Sequence, residues 1–284
     1  MKQVLVIVGP TASGKTALGI QLAKHYDTDI INGDSVQVYQ GYDVGSAKVK
    51  ESEKQGIMHH LLDHVSPSDH YDVKRFQTEA RSIIEQIQSP IIVGGTGFYI
   101  KAALYDYDFS PEERKFDDID LENEVMYKQI IEFDPEYSGD PYNRRRLLRA
   151  FELVQQGHLP SLKKGKNDAL YDVLTIYLDI DRSILKKRLS QRLEKQLALG
   201  FIEEVQTLQK EYTIKDVIGY REISLYLDGI YDYDTMNAMI IKKSMAFAKK
   251  QKTWFKHQMH VHVFDATSET LVRDVIKVVD AWKK

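Results

Sequence analysis

Residues 9–16 read Gly-Pro-Thr-Ala-Ser-Gly-Lys-Thr, and no other stretch limits the possible folds so tightly. The pattern G-x-x-x-x-G-K-[ST] has meaning only between a strand and a helix. Both are expected here. Val4, Leu5, Val6, Ile7 and Val8 form a continuous apolar run rich in β-branched residues, as in a parallel strand covered on both faces. Residues 16–26 then carry Leu18, Leu22 and Ala23 at helical spacing. The loop Gly9, Pro10, Thr11, Ala12, Ser13, Gly14, Lys15, Thr16 is therefore read as a phosphate site. Its glycines let the main chain wrap an anion, successive amides and the helix N-terminus face it, and Lys15 adds a cation. Thr16 supplies a hydroxyl suited to Mg²⁺. The loop alone leaves open which phosphate compound it holds.

The remaining pattern alternates strands with helices. Short apolar runs at residues 29–31, 91–95, 174–178 and 261–264 are expected strands, and residues 73–88 an amphipathic helix with Phe76, Ala80, Ile83, Ile84 and Ile87 on one face. Such alternation predicts an α/β fold, a P-loop NTPase-like doubly wound parallel sheet whose ligands sit at the carboxyl ends of the strands. Gly9, Asp34 and Gly94 all fall at such ends. The long polar, helical stretch between the third and fourth strands reads as an inserted helical domain at 108–171. The catalytic core is then expected at 1–107 and 172–284, with a further helical stretch over 184–258.

Composition narrows the function classes. The chain has 284 residues and no cysteine, which rules out a disulfide framework and a thiolate zinc site. It has no apolar run near the ~20 residues a membrane helix requires. A cytoplasmic protein, not bound to a membrane and acting as a monomer, is expected. The formal net charge is −3, which by itself does not suggest a nucleic-acid partner. Local potential matters more than the sum, however. Basic residues cluster at Arg144, Arg145, Arg146 and Arg149, at Lys163, Lys164 and Lys166, and from Lys242 to Lys256.

Three features depart from an ordinary NTPase. The third strand runs into Gly94-Gly95-Thr96-Gly97-Phe98-Tyr99, where an acid for Mg²⁺ might stand; no Asn-Lys-x-Asp element exists; and the second strand delivers Asp34-Ser35-Val36-Gln37 beside the phosphate loop. Asp179 and Asp181 after the fourth strand are alternative Mg²⁺-side acids, although turn residues are the commoner reading of strand-end acids. His59, His60, Asp63 and His64 resemble a metal cluster in spacing, but neighbouring Leu61, Leu62 and Val65 favour a half-buried structural helix.

Taken in order, the segments GPTASGKT (9–16), GDSVQVYQGYDVGSAK (33–48), HHLLD (59–63), GGTGFY (94–99), DPYNRRRLLRAFE (140–152), LDIDR (178–182), LALGFIEEV (197–205), IGYREISLYL (218–227) and AKKQKTWF (248–255) resemble the tRNA dimethylallyltransferases, also called tRNA isopentenyl transferases, of bacterial type. The resemblance covers nearly the whole chain. It implies transfer of a dimethylallyl group from dimethylallyl diphosphate to N6 of the adenosine 3′ of the anticodon, adenosine 37, with Mg²⁺ as cofactor and the tRNA anticodon stem-loop as partner. By the same resemblance Asp34 is the general base, Thr96 hydrogen-bonds the adenine, and Arg221 joins Lys15 and Thr16 in stabilising the departing diphosphate. Asp34 as a Mg²⁺ ligand only is the alternative for that residue.

The family's tRNA-contact segments map onto Asp34, Ser35, Val36 and Gln37, with Thr96, and onto Arg145, Arg146, Leu147, Leu148 and Arg149. Residues 240–257 project as a helix with Lys242, Lys243, Lys249, Lys250 and Lys256 on one side and Ile240, Ile241, Phe247, Ala248, Trp254 and Phe255 on the other. No acid lies among them, so Lys242 and Lys249 are expected to meet RNA phosphates. One departure stands out: Met245 occupies a position where the family usually has arginine. Two other readings of the phosphate loop stay open at this point, an ATP-binding small-molecule kinase in which Asp34 activates a hydroxyl, and a non-catalytic RNA-binding module.

Overall fold

The computed structural model describes residues 1–107, 109, 119–162 and 168–284. The lysine cluster at 163–166 lies outside the described residues. In chain order the elements are β1 (Gln3–Val8), α1 (Lys15–His25), β2 (Ile30–Gly33), α2 (Glu51–Lys54), β3 (His59–His60), α3 (Val73–Gln86), β4 (Ile91–Gly94) and α4 (Gly97–Leu104). They continue as α5 (Asn123–Phe133), α6 (Arg144–Gln155), β5 (Asp172–Asp179), α7 (Arg182–Ala198), α8 (Phe201–Glu211), α9 (Tyr220–Leu227), α10 (Tyr233–Gln258), β6 (His262–Asp265) and α11 (Leu271–Trp282).

The six strands make one sheet in the order β3-β2-β4-β1-β5-β6, every described pairing parallel. Alternation along β1 divides the apolar residues between two cores. Val4, Val6 and Val8 pack with Phe76, Ile100 and Phe255, whereas Leu5 and Ile7 pack with Leu18, Leu22, Val275 and Val279. Helices therefore cover both faces, which is why β1 carries no polar residue after Gln3. The doubly wound parallel sheet expected from sequence is the observed fold.

Register positions the site. Gly94 pairs with Val8 on one side and Gly33 on the other, so β1, β2 and β4 end level. The loops that follow, starting at Gly9, Asp34 and Gly95, therefore leave the sheet side by side. Helix α10 is fixed to one of them, because the buried Gln251 donates its Nε2 to the Gly95 carbonyl at 2.9 Å.

The chain divides into two compact units, Met1–Tyr105 with Ala169–Lys284, and Asp106–Asp168. These divisions fall two and three residues before the boundaries read from sequence. The smaller unit has its own core of Met126, Ile130, Leu147, Phe151 and Val154 on α5 and α6. Its buried Asp134 accepts the Ser161 amide at 2.7 Å and the Ser161 hydroxyl at 2.6 Å.

The helix expected around His59–His64 does not form. His59 and His60 are a short edge strand beside β2, and Leu61 and Asp63 take left-handed backbone, φ 57° and 56°. The amides of Asp63, His64 and Val65 bond to the carbonyls of Gln37 and Val38, which a helix would forbid. The histidines are paired: His60 Nε2 lies 2.9 Å from Asp29 and His64 Nε2 3.1 Å from Glu79. Among the described residues no group of three potential ligands could hold a metal ion. No helix is long and apolar enough to cross a membrane among them either.

Candidate active site

The loop at residues 9–16 takes the backbone that the motif requires. Gly14, at φ 94°, caps α1 in the left-handed region that costs other residues about 1 kcal/mol or more. Ser13 is 1 % exposed, and its hydroxyl is buried without any hydrogen-bond partner among the described residues. A buried hydroxyl left unmatched is costly unless a ligand satisfies it. Lys15 lies back on the loop, its Nζ donating to the Pro10 carbonyl at 2.8 Å. Burial pushes its ammonium down to about 8, with Asp34 opposing and Arg192 adding to the shift.

Above this loop is a cleft with two joined parts. The polar part, about 460 Å³, is lined by Thr11, Ala12, Gly14, Lys15, Thr16, Asn32, Asp34, Gln37, Arg188 and Arg192. The more apolar part, about 370 Å³, is lined by Val36, Leu189, Leu193, Phe201, Ile218 and Ile240 among others. Thr11, Asp34, Ser46 and Arg192 border both. A larger groove, about 1630 Å³, lies between α7 and α10 and contains no residue of the phosphate loop.

Asp34 follows β2 directly and closes a turn on itself. One carboxylate oxygen, Oδ1, accepts the amides of Val36 at 2.9 Å and Gln37 at 3.3 Å. The buried Asn32 side chain bonds the Asp34 amide and carbonyl, which fixes the backbone as well. Thr96 joins the neighbouring loop to this turn: its hydroxyl accepts the Ser35 amide at 3.0 Å and donates to the Ser35 hydroxyl at 3.2 Å. Asp34, Ser35, Val36, Gln37 and Thr96 thus come together, as expected.

Two cations at the cleft were missed from sequence. Arg188 and Arg192 stand one turn apart on α7 and both line the polar part. Arg188 donates to the Ala12 carbonyl at 3.3 Å and Arg192 to the Ser46 carbonyl at 3.0 Å. Burial lowers the Arg192 guanidinium from its ordinary value. Their i, i+4 spacing on the helix that follows the strand beside β1 was the available signal.

Other expected site residues are placed differently. Arg221 does not line the cleft; its guanidinium is half exposed and bonds Asp216 at 2.8 Å. Asp179 is held by Lys252 at 2.7 Å and Asp181 caps α7, and neither lines the cleft. In the smaller unit Arg145 and Arg146 are exposed, but Leu147 is wholly buried. That corrects the expectation that Leu147 touches RNA. Leu148 packs partly buried against the same core, and Arg149 is tied to the buried Glu152 at 3.0 Å. On α10, Lys242 and Lys249 line the groove shared with α7. Lys243 bonds the buried Glu222 of α9, so acids from elsewhere reduce the lysine stripe. Phe247, expected on the buried side, is 42 % exposed. Met245 packs against the small apolar cluster of Leu185, Leu189 and Ala248.

Fold and cleft define a P-loop enzyme in which a phosphate cradle opens directly onto an apolar pocket, with Asp34 the carboxylate that borders both. The family model for IPP transferase matches residues 37–258, and that for isopentenyl transferase residues 2–69. The tRNA dimethylallyltransferase of Acholeplasma laidlawii is 46 % identical over 278 residues, covering 98 % of this chain and 97 % of that protein. The crystal structure of tRNA delta(2)-isopentenylpyrophosphate transferase from Staphylococcus epidermidis superposes with TM-score 0.75 at 32 % identity, covering 99 % of each chain. A eukaryotic dimethylallyltransferase acting on tRNA gives TM-score 0.83 at 27 % identity, over 98 % of this chain and 78 % of that one. The chain belongs to the tRNA dimethylallyltransferase family.

Proposed function

We propose that this chain transfers the dimethylallyl group of dimethylallyl diphosphate to N6 of the adenosine 3′ of a tRNA anticodon, adenosine 37. The observation that carries the reading is the joined cleft. A prenyl diphosphate is an anion with a short apolar tail, and the polar and apolar parts meet where Asp34 stands. A kinase would need no such apolar pocket between its phosphate loop and its general base.

In the reaction the bond between the prenyl C1 and the diphosphate oxygen breaks, and the electron pair leaves with diphosphate. The N6 lone pair forms the new bond to C1, and the N6 proton goes to Asp34. With Oδ1 occupied by two amides, Oδ2 is the oxygen that takes it. The charge that appears on diphosphate is met by the loop amides, Lys15, Arg188 and Arg192. Thr16 fits Mg²⁺, since it lines the cleft and its hydroxyl has no hydrogen-bond partner among the described residues. When bound, Mg²⁺ would neutralise further charge on the diphosphate oxygens. Thr96 positions the turn that carries Asp34, and by the family resemblance its hydroxyl is assigned to the adenine. The base must leave its stack to reach a cleft of this kind, which favours a single-stranded anticodon loop. Arg145 and Arg146, with Lys242 and Lys249, supply exposed cations for the RNA backbone. The chain is taken to act as a monomer, and tRNA as substrate implies the cytoplasm.

The test is incubation with dimethylallyl diphosphate, Mg²⁺ and unmodified tRNA, followed by mass spectrometry of the nucleosides. One adenosine should gain one dimethylallyl group, with no ATP consumed. ATP hydrolysis with unchanged tRNA mass would instead indicate the kinase reading.

A further inference from the structure

The loop at residues 43–47 walls both parts of the cleft. Ser46 and Ala47 face the polar part, Gly45 and Ser46 the apolar one. The loop has no regular structure of its own, and four successive amides are held by one carboxylate and one phenol. Glu204 of α8 accepts the amides of Asp43 at 3.1 Å and Val44 at 2.7 Å through Oε2, and that of Gly45 at 3.1 Å through Oε1. The same Oε1 accepts the Tyr220 hydroxyl at 2.6 Å, and that hydroxyl oxygen accepts the Ser46 amide at 3.2 Å. Consecutive amides arranged this way are a concave anion site. Here the anion is a side chain of the protein itself.

The carbonyls of the loop are fixed from the cleft side. Gln196 donates to the carbonyls of Val44 and Gly45 at 2.6 and 2.8 Å, and Arg192 and Gln37 donate to that of Ser46 at 3.0 and 3.1 Å. Packing allows little slack. A Cβ on Gly45 would lie 2.0 Å from Phe201 and 2.6 Å from Tyr220, two buried rings that meet edge to face. The Ser46 carbonyl, which aims Arg192 at the phosphate cleft, is thus held in place by a carboxylate on another helix.

We propose that Glu204, acting through Tyr220, is a positioning residue that sets the 43–47 loop and with it Arg192 before the donor arrives. Glu204 does not line the cleft. The inference takes its substrate from the prenyl-transfer reading. It expects donor binding and the charge stabilisation that Arg192 gives the leaving diphosphate, rather than tRNA binding, to depend on Glu204 and Tyr220.

The informative variant is Tyr220→Phe, which removes one hydroxyl from a ring with no exposed surface and keeps its stacking. The KM for dimethylallyl diphosphate should rise about tenfold, the loss of a charge-assisted contact. Affinity for inorganic diphosphate with Mg²⁺, measured by calorimetry, should fall by the same factor. The KM for tRNA should stay within twofold, and any fall in kcat should not exceed the loss of diphosphate affinity. Glu204→Gln, which turns a donor toward the amides, should act in the same direction and more strongly. A folded Tyr220→Phe protein with unchanged donor KM and diphosphate affinity overturns the proposal, as does an equal loss of kcat and tRNA affinity. If neither variant folds, amide exchange in the unaltered protein decides. The amides of residues 43–46 should be protected before diphosphate is added and no more so after; protection that appears only with diphosphate overturns the proposal. These binding and exchange measurements need no tRNA, so failure of the unaltered protein to prenylate tRNA would count against the function alone.

Discussion

Asp34 Oδ1 accepts the backbone amide of Val36 at 2.9 Å, and this turn decides which oxygen is available for chemistry. An asparagine keeps the acceptor and therefore the turn, but its other atom is an amide that cannot take a proton. Asp34→Asn should lower kcat by about 10²–10⁴-fold. Affinity for tRNA should stay within a few-fold, measured by filter binding. A large loss of tRNA affinity at unchanged kcat would assign Asp34 to binding alone.

Lys15 gives a pH dependence with a definite sign. Its free pKa is lowered to about 8 by burial, so the cation is half lost at pH 8 and lost progressively above it. Diphosphate binds the charged form and raises the pKa. Affinity for diphosphate should therefore fall as pH rises from 8 toward the bound pKa, by up to about tenfold per pH unit, with proton uptake on binding. Calorimetry in buffers of different ionisation enthalpy measures both. In Lys15→Met the fall above pH 8 should disappear.

The two arginine assignments separate cleanly. Arg192 lines the cleft and Arg221 does not. Arg192→Ala should weaken donor binding about 10–100-fold, the range for a charge-assisted contact in a partly buried site. Arg221→Ala should change it by less than threefold, since an exposed pair such as that with Asp216 contributes little. The reverse ranking in a steady-state assay would return the role to Arg221.

In the smaller unit, burial separates RNA contact from structure. Replacing the exposed Arg145 and Arg146 by alanine should reduce the salt dependence of tRNA binding by about one to two phosphate contacts and leave thermal stability unchanged. Leu147→Ala removes a fully buried side chain and should destabilise that unit by about 2–5 kcal/mol. Salt titrations of binding and calorimetric melting distinguish the two.

What was legible in the sequence was local. The phosphate loop is a backbone motif, so eight consecutive residues specify it, and the apolar run of β1 declares a strand buried on both faces. Asp34 was legible because strand ends in such a sheet converge. Arg188 and Arg192 were not, since their place depends on how α7 packs over the loop rather than on their neighbours in sequence. Arg221 was carried over with its motif, and the structure pairs it with Asp216, which borders the apolar part of the cleft. The His59–His64 segment failed for a different reason: short apolar runs do not separate helix from strand, and here the Gln37 and Val38 carbonyls draw its amides away from a helix. Likewise the α10 projection found the buried Ile240, Ala248 and Phe255, but not the acids of β5 and α9 that bind Lys252 and Lys243.

The most direct measurement is a crystal structure of the protein with Mg²⁺ and the thio-analogue of dimethylallyl diphosphate, which binds without transferring its prenyl group readily. The account predicts diphosphate within hydrogen-bond distance of the amides of residues 11–16 and of Arg192, with the prenyl carbon beyond it facing Asp34. Diphosphate bound away from that loop, or a prenyl tail directed away from Asp34, would contradict it.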